Sequence, residues 1–127
     1  MSVTTAEVAE IIRGVSTRVI DPGFRRLSPD QIHEKAPGDL VTDLDRQAEG
    51  ELSRLLTSAG GGIVVGEESV HDDASVLQEL PTAELTWVID PIDGTKNYVN
   101  GSTHHAVMVA EVQHGVTTRS WIWQPQL

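Results

Sequence analysis

The sequence predicts an α+β fold, a layered sandwich in which two helices pack on a mainly antiparallel sheet. Two observations lead to this prediction. Apolar residues recur at helical spacing in two stretches of the first half, and short apolar runs typical of strands follow in the second half. Helices followed by strands favour an α+β fold over regular strand–helix alternation. A length of 127 residues fits a single domain, residues 1–127.

The first predicted helix begins at Thr4. Thr4 and Glu7 have the spacing of a capping box, in which each side chain accepts a hydrogen bond from the other residue's main-chain N–H. The apolar residues that follow share one helical face: Val8, Ile11, Ile12, Val15 and Val19. The turn-forming residues 21–23 end this helix.

The second predicted helix begins after Thr42, its N-cap, and ends at the glycines 60–62. Its apolar stripe consists of Leu44, Ala48, Leu52, Leu55 and Leu56. Residues 24–38, which lie between the two helices, have a mixed pattern that predicts no element.

The remaining apolar runs predict strands. Residues 63–65 and 86–89 are short and almost wholly apolar, as buried strands are. Residues 106–112 and 116–123 flank the turn 113–115, which predicts an antiparallel hairpin.

The composition restricts the possible functions. The net charge of −10 argues against binding to a nucleic-acid polymer, which requires clustered Lys and Arg. The lack of cysteine excludes disulfides, thiol nucleophiles and Cys-ligated zinc, and it fits a cytoplasmic location. No apolar run approaches the roughly 18 residues that a membrane span needs, so no membrane association is expected. The first residues lack the pattern of a signal peptide.

The acidic residues are unevenly distributed. Between Arg54 and Lys96 the chain has no Lys or Arg, but it has eight carboxylates. They are Glu67, Glu68, Asp72, Asp73, Glu79, Glu84, Asp90 and Asp93. Such a segment either faces solvent or holds cations, and charge alone favours a solvated surface.

Four of these acids directly follow predicted strands. Glu67 and Glu68 come after one apolar run, and Asp90 and Asp93 come at the end of the next. Carboxylates gathered at one place repel each other unless protons or cations compensate their charge. Oxygen ligands favour Mg²⁺ or Ca²⁺, and Mg²⁺ leaves coordination positions for water and a substrate phosphate. The pattern therefore favours a cation site.

Residues 90–95 have the features of a loop that could hold both a cation and a phosphate. Pro91 has no N–H and fixes φ, which leaves the carbonyl of Ile92 available to a cation. If a helical turn starts near residues 96–97, the amides of Gly94 and Thr95 can bind an anion. Carboxylates for metal beside amides for phosphate indicate metal-assisted phosphoryl transfer to water.

Three other interpretations of residues 90–95 compete. Asp-Gly alone is a common hairpin turn. A calcium-binding EF loop needs acids at alternating positions, which this spacing breaks. A phosphatase of the haloacid-dehalogenase type has an aspartate nucleophile two residues before a second aspartate, whereas here the two aspartates are three residues apart.

The sequence resembles the inositol monophosphatase family of metal-dependent, lithium-sensitive phosphatases. Residues 90–98, D-P-I-D-G-T-K-N-Y, carry most of the resemblance. Residues 66–69, residues 39–45 and the predicted hairpin 106–125 match in the same order. The likeness spans roughly residues 5–125, and it implies the sugar-phosphatase type of α/β sandwich, of which this chain would be the N-terminal half.

The resemblance implies a metal and phosphate site. Glu67, Asp90 and the Ile92 carbonyl would bind a first Mg²⁺. Asp90 would bridge to a second ion that Asp93 also holds. Asp93 would face the substrate phosphate as well.

The resemblance also implies roles around that site. Thr95, paired with Asp45, would be catalytic and would orient a metal-activated water, while the amides of Gly94 and Thr95 hold the phosphate. Glu68 would be a supporting acid, and Lys35 would approach the site. From spacing alone, Asp45 could equally complete a capping box, and Glu68 could equally be an exposed acid.

The implied function is Mg²⁺-dependent hydrolysis of inositol monophosphate or a similar small polyol phosphate. Histidinol phosphate, fructose 1,6-bisphosphate and 3′-phosphoadenosine 5′-phosphate are competing substrates. Family chains continue for a comparable length beyond residue 125 and supply a further Asp ligand there. A non-catalytic remnant that binds a cation or a partner is therefore the alternative, and a homodimer is possible because a sheet edge would stay unpaired.

Overall fold

The computed structural model describes residues 3–127. The helices are α1 (Thr5–Val15), α2 (Asp21–Gly23), α3 (Asp43–Gly60), α4 (Glu67–Asp72) and α5 (Thr95–Val99). The strands are β1 (Ile32–Ala36), β2 (Asp39–Thr42), β3 (Ile63–Gly66), β4 (Thr86–Asp93), β5 (Ala106–Gln113) and β6 (Val116–Trp123). Short 3₁₀ turns span Pro29–Gln31 and Ala74–Glu79.

Both predicted helices begin at their predicted caps. Thr4 Oγ1 accepts a hydrogen bond from the Glu7 N–H at 3.0 Å, and Glu7 Oε1 accepts one from the Thr4 N–H at 3.1 Å. Thr42 and Asp45 form the same reciprocal arrangement at the start of α3. After α1 the chain continues through a π-helical turn, Ser16–Ile20, into α2. The helical path therefore ends at Gly23, where the sequence predicted its end.

One four-stranded sheet carries the fold, in the order β3-β4-β5-β6. β3 and β4 are parallel, whereas the β4–β5 and β5–β6 pairings are antiparallel. One face of the sheet packs on the helices through Trp87, Ile89, Val107 and Val109. The apolar stripes of α1 and α3 meet this face and form the core. The α+β class and the mainly antiparallel sheet are confirmed.

The structure adds two features that the sequence did not predict. Residues 24–38, for which no element was predicted, contain β1, which forms an antiparallel hairpin with β2. β4 also does not end at Ile89, because it continues to Asp93 with an irregular register between Asp90 and Asp93. The expected loop is thus partly a distorted strand, anchored to β5. Within residues 3–127, no helix is both long and apolar enough to span a membrane.

Candidate metal and phosphate site

The parallel pairing of β3 with β4 brings the two acidic segments together. Gly66 is the register partner of Ile89, so the residues that follow each of them, Glu67 and Asp90, leave the same end of the sheet. The irregular register of β4 then turns Asp93 to the same place. Glu67 therefore lies at the same place as Asp90 and Asp93, which follow it by 23 residues or more.

These side chains border a cavity of about 230 Å³. Its lining includes Glu67, Asp90, Ile92, Asp93, Gly94 and Thr95, together with Asp39 and Leu40 from the β1–β2 hairpin and Lys96. A larger groove of about 530 Å³ runs over the outer face of the sheet, along apolar residues such as Val88 and Met108. Glu67, Asp90 and Asp93 border both spaces, and we place the chemistry in the smaller one because Ile92, Gly94 and Thr95 line only that cavity.

Asp90 is the carboxylate most clearly short of a partner. Its Oδ1 is buried and has no hydrogen-bond partner among the described residues. Burial, together with the neighbouring acids Glu67 and Asp93, raises the pKa of Asp90 to about 8. A bound cation would therefore stabilise the ionised form of this buried carboxylate.

The donor set fits a hard cation. Glu67, Asp90, Asp93 and the carbonyl of Ile92 offer oxygen only, which suits Mg²⁺ or Ca²⁺ rather than a soft metal. Among the residues that the structure describes, no three His, Asp or Glu side chains already stand in an arrangement that would hold an ion. The carboxylates would thus have to close around the ion.

Asp45 and Thr95 are in contact although they are 50 residues apart. The Thr95 hydroxyl lies 2.9 Å from Asp45 Oδ1 and 3.0 Å from the carbonyl oxygen of Ile92. The Ile92 carbonyl, expected to be available to a cation, thus already has one neighbour and keeps its second lone pair for an ion.

Asp45 also caps α3, so the two roles left open for it are compatible. Its Oδ2 accepts hydrogen bonds from the N–H of Thr42 at 2.8 Å and from the Thr42 hydroxyl at 2.6 Å. Burial raises the pKa of Asp45, while the bonds from Thr42 and Thr95 act in the opposite direction. The buried carboxyl group is therefore fixed by contacts on both of its oxygens.

Lys35 and Glu68 lie beside the site. Lys35 Nζ lies 3.4 Å from Glu67 Oε1 and 3.3 Å from Glu68 Oε1, and its side chain is only 5% exposed. Glu68 is buried rather than exposed, and its Oε2 has no hydrogen-bond partner among the described residues. Burial raises the pKa of Glu68, and the Lys35 ammonium partly offsets this.

The turn before α5 is fixed by its backbone. Gly94 has a φ of +82°, and a Cβ there would lie 3.0 Å from the carbonyl oxygen of His104. The Tyr98 N–H donates to the Gly94 carbonyl, so α5 starts at Thr95 as a helical turn, as predicted. The first amides of a helix have no carbonyl partner within it, and the residues Gly94 and Thr95 line the cavity.

Comparison with known proteins shows the family to which the chain belongs. The sequence profile of the inositol monophosphatase family matches residues 2–127. The chain belongs to this family.

Individual relatives show how much of a longer family member this chain matches. The Aquifex aeolicus protein named fructose-1,6-bisphosphatase/inositol-1-monophosphatase is 33% identical over 108 residues, which are 84% of this chain and 38% of that protein. The Vibrio cholerae protein named Nus factor SuhB is 33% identical over 95 residues, 75% of this chain and 34% of the relative. This chain therefore spans well under half the length of the curated relatives it matches.

A solved family structure has the same fold. A staphylococcal inositol monophosphatase, soaked with lithium chloride as an inhibitory complex, superposes with a TM-score of 0.74 at 18% identity. The match covers 99% of this chain and 47% of that one.

Glu49 is a site neighbour that the sequence did not reveal. It lies on α3, one turn after Asp45, and its carboxylate accepts the N–H groups of Glu68 at 2.8 Å and Ser69 at 3.0 Å. Burial raises its pKa, and these two bonds lower it. The only signal in the sequence is an acid four residues after Asp45 on the helix face that α3 buries.

Proposed function

We propose that this chain forms the cation- and phosphate-binding part of a Mg²⁺-dependent phosphomonoesterase. The substrate would be inositol monophosphate or a similar small polyol phosphate. The buried, unpartnered Asp90 oxygen, next to Glu67 and Asp93 at the joint end of β3 and β4, carries this proposal. Family membership supports the reaction class.

The proposed ligands follow from the donor set. Glu67, Asp90 and the carbonyl of Ile92 would hold one Mg²⁺, and Asp90 with Asp93 would hold a second. When bound, the cations would supply charge neutralisation at the phosphate and would make water more acidic. The lithium chloride complex of the staphylococcal relative supports a cation site in this fold, so lithium is expected to inhibit.

The chain's own residues would position the attacking water. The Thr95 hydroxyl donates to Asp45 Oδ1, so a lone pair on Thr95 Oγ1 stays available to accept a hydrogen bond from water. As the water attacks phosphorus, its proton can pass to Thr95 Oγ1 while the Thr95 proton passes to Asp45 Oδ1. The ester P–O bond breaks in the same displacement, and the leaving alkoxide takes a proton from solvent water. Burial, which raises the pKa of Asp45, favours this last step.

The phosphate would rest on the start of α5. Gly94 and Thr95 line the cavity, and their main-chain N–H groups would donate to phosphate oxygens. Lys35, which contacts Glu67 and Glu68, would limit the negative charge that an incoming phosphate meets.

The second candidate is binding without catalysis. It is favoured by one observation, that the chain spans only 38% of the Aquifex aeolicus relative. On this candidate, groups that the reaction needs would lie in the part of the relative outside the match. The homodimer and the cytoplasmic location expected from the sequence stay predictions.

Two measurements on the chain separate these candidates. Calorimetric titration with Mg²⁺ tests the cation site, and phosphate release from inositol 1-phosphate and p-nitrophenyl phosphate tests the reaction. We expect Mg²⁺ binding that Asp93→Asn weakens strongly. The matched control is Asp72→Asn, which removes the same charge from an exposed surface pair with Arg46 and should bind normally.

The outcomes are distinct. Binding with phosphate release that Mg²⁺ activates supports the phosphatase, and the same assay with the three competing phosphate esters ranks substrates. Binding without release supports the second candidate. Absence of Mg²⁺ binding to the unmodified chain contradicts both the phosphatase and the non-catalytic binding of a cation.

A further inference from the structure

Glu49 has a contact pattern unlike that of the other acids around the site. Its two oxygens each accept a main-chain N–H, from Glu68 and from Ser69, and the residue is only 7% exposed. Asp90 and Glu68 have an unpartnered oxygen, and Glu67 and Asp93 are exposed. Asp45 is also buried with both oxygens bonded, but one of its oxygens meets only the Thr95 hydroxyl rather than a main-chain N–H. Because both oxygens of Glu49 are already occupied by N–H donors, it is poorly suited to bind a cation directly.

Gly66, the residue before Glu67, leaves room for the Glu49 carboxylate. A Cβ on Gly66 would lie 2.3 Å from Glu49 Cδ and 2.5 Å from its Oε1. Only glycine at position 66 lets the carboxylate approach this closely, although the φ of Gly66, −112°, is one that any residue adopts. The glycine of the G-E-E-S segment is thus explained by a side chain 17 positions earlier.

The anchored segment is too short to hold its own shape. α4 has six residues, and an isolated helix of that length is unstable in water. Its first turn is fixed on one side by β3 and on the other by the bonds to Glu49. Fixing the N–H groups of Glu68 and Ser69 also fixes the peptide that follows Glu67, and so the direction in which the Cα–Cβ bond of Glu67 leaves the main chain.

We propose that Glu49 is a positioning residue, which orients Glu67 toward the cation by holding the first turn of α4. This inference rests on the proposed function, since it assumes that Glu67 is a cation ligand. Mutation of a residue that hydrogen-bonds to a metal ligand typically lowers metal affinity about 10- to 100-fold. Glu49 would act in the same way through the main chain.

The test compares two glutamates of the same helix. Glu49→Gln keeps the size of the side chain but replaces one acceptor oxygen with an NH₂ group, which cannot accept an N–H. Glu51→Gln removes the same charge from a surface pair with Arg18 and is the control. Mn²⁺ binding is measured by calorimetry and by electron paramagnetic resonance, at a temperature where circular dichroism shows both variants fully folded.

We expect Glu49→Gln to raise the Kd for Mn²⁺ about 10-fold or more, with Glu51→Gln unchanged. The NMR signals of the Glu68 and Ser69 amides should shift in Glu49→Gln only, because those two N–H groups lose a charged acceptor. A purely structural role would lower the unfolding temperature without changing the affinity of the folded fraction.

Other results would overturn the inference. Equal Mn²⁺ affinity in the unmodified chain and in folded Glu49→Gln rejects the role of Glu49 and leaves the proposed function standing. No Mn²⁺ binding by the unmodified chain rejects the cation site and this role with it. If Glu49→Gln does not fold, Glu49→Asp replaces it, because a carboxylate one methylene shorter cannot reach both amides. Unweakened binding by Glu49→Asp would then reject the inference.

Discussion

Asp90 and Glu111 lie on the neighbouring strands β4 and β5, and the two carboxylates have opposite surroundings. Glu111 accepts hydrogen bonds from Arg119 Nε at 2.9 Å and from the Thr118 hydroxyl at 2.7 Å, and the bond from Arg119 lowers its pKa. Asp90 has an unpartnered buried oxygen, acidic neighbours and a pKa raised to about 8. The comparison teaches that burial of a carboxylate is not itself a sign of function. The missing partner is the sign.

The largest expected effect is the loss of stability when Glu111 loses its partner, Arg119. Arg119 also donates to the Val3 carbonyl and to the Thr5 hydroxyl, so it ties β6 to the start of α1. Arg119→Met leaves Glu111 buried without a cation and should lower the free energy of unfolding by about 3 kcal/mol. Urea denaturation measures this. Arg46→Met, which breaks an exposed pair with Asp72, should cost at most about 0.5 kcal/mol. Equal losses in both variants would mean that the Glu111 pair is no more than a surface pair.

Substitution of the unpartnered carboxylate, Asp90, should change the free energy of unfolding in the opposite direction. Without divalent cations, Asp90→Asn should raise the free energy of unfolding by about 1 kcal/mol, because it removes a buried acid whose charged form is disfavoured by burial and by Glu67 and Asp93. With Mg²⁺, the unmodified chain should gain stability and Asp90→Asn should not. Denaturation in chelator and then in Mg²⁺ measures both effects. A destabilised Asp90→Asn in chelator would show that the Asp90 carboxylate is held by favourable contacts.

The smallest expected effect is on pH dependence. The folded pKa of Glu111 lies below its ordinary value of 4.5, so the unfolded chain binds this proton more tightly. The stabilisation from Glu111 is therefore complete above the unfolded pKa and is lost as the pH falls through the folded pKa. Denaturation from about pH 6 down to about pH 3 should show the difference between the unmodified chain and Glu111→Gln narrowing with acid. A difference that stays constant would contradict the lowered pKa.

The sequence predicted the parts of the fold whose signals are local. The capping boxes at Thr4 and Thr42 and the helical spacing that follows them need only neighbouring residues. The β1–β2 hairpin escaped prediction because Ile32–Ala36 is mostly exposed and has no alternation of apolar residues. Lys35, which lies on that hairpin, could be linked to the site only through the family resemblance.

The sequence was enough to predict which residues form the candidate site, but not that they lie close together in space. The sequence places Glu67 and Asp90 each after a strand, yet their proximity depends on the parallel register of β3 with β4, which no local pattern encodes. Glu49 was hidden for a related reason. It is one of several acids on α3, and only its contact with the segment after Gly66 distinguishes it.

The double use of Asp45 has a consequence for how related sequences are interpreted. One oxygen of this carboxyl group caps the start of α3 and the other accepts a hydrogen bond from Thr95. A mutant library selected only for heat resistance would therefore retain an acid at position 45, even in variants that turn over nothing. An aspartate retained here in a distant homologue is consequently no evidence of enzymatic activity, whereas a retained Thr95 would be more informative.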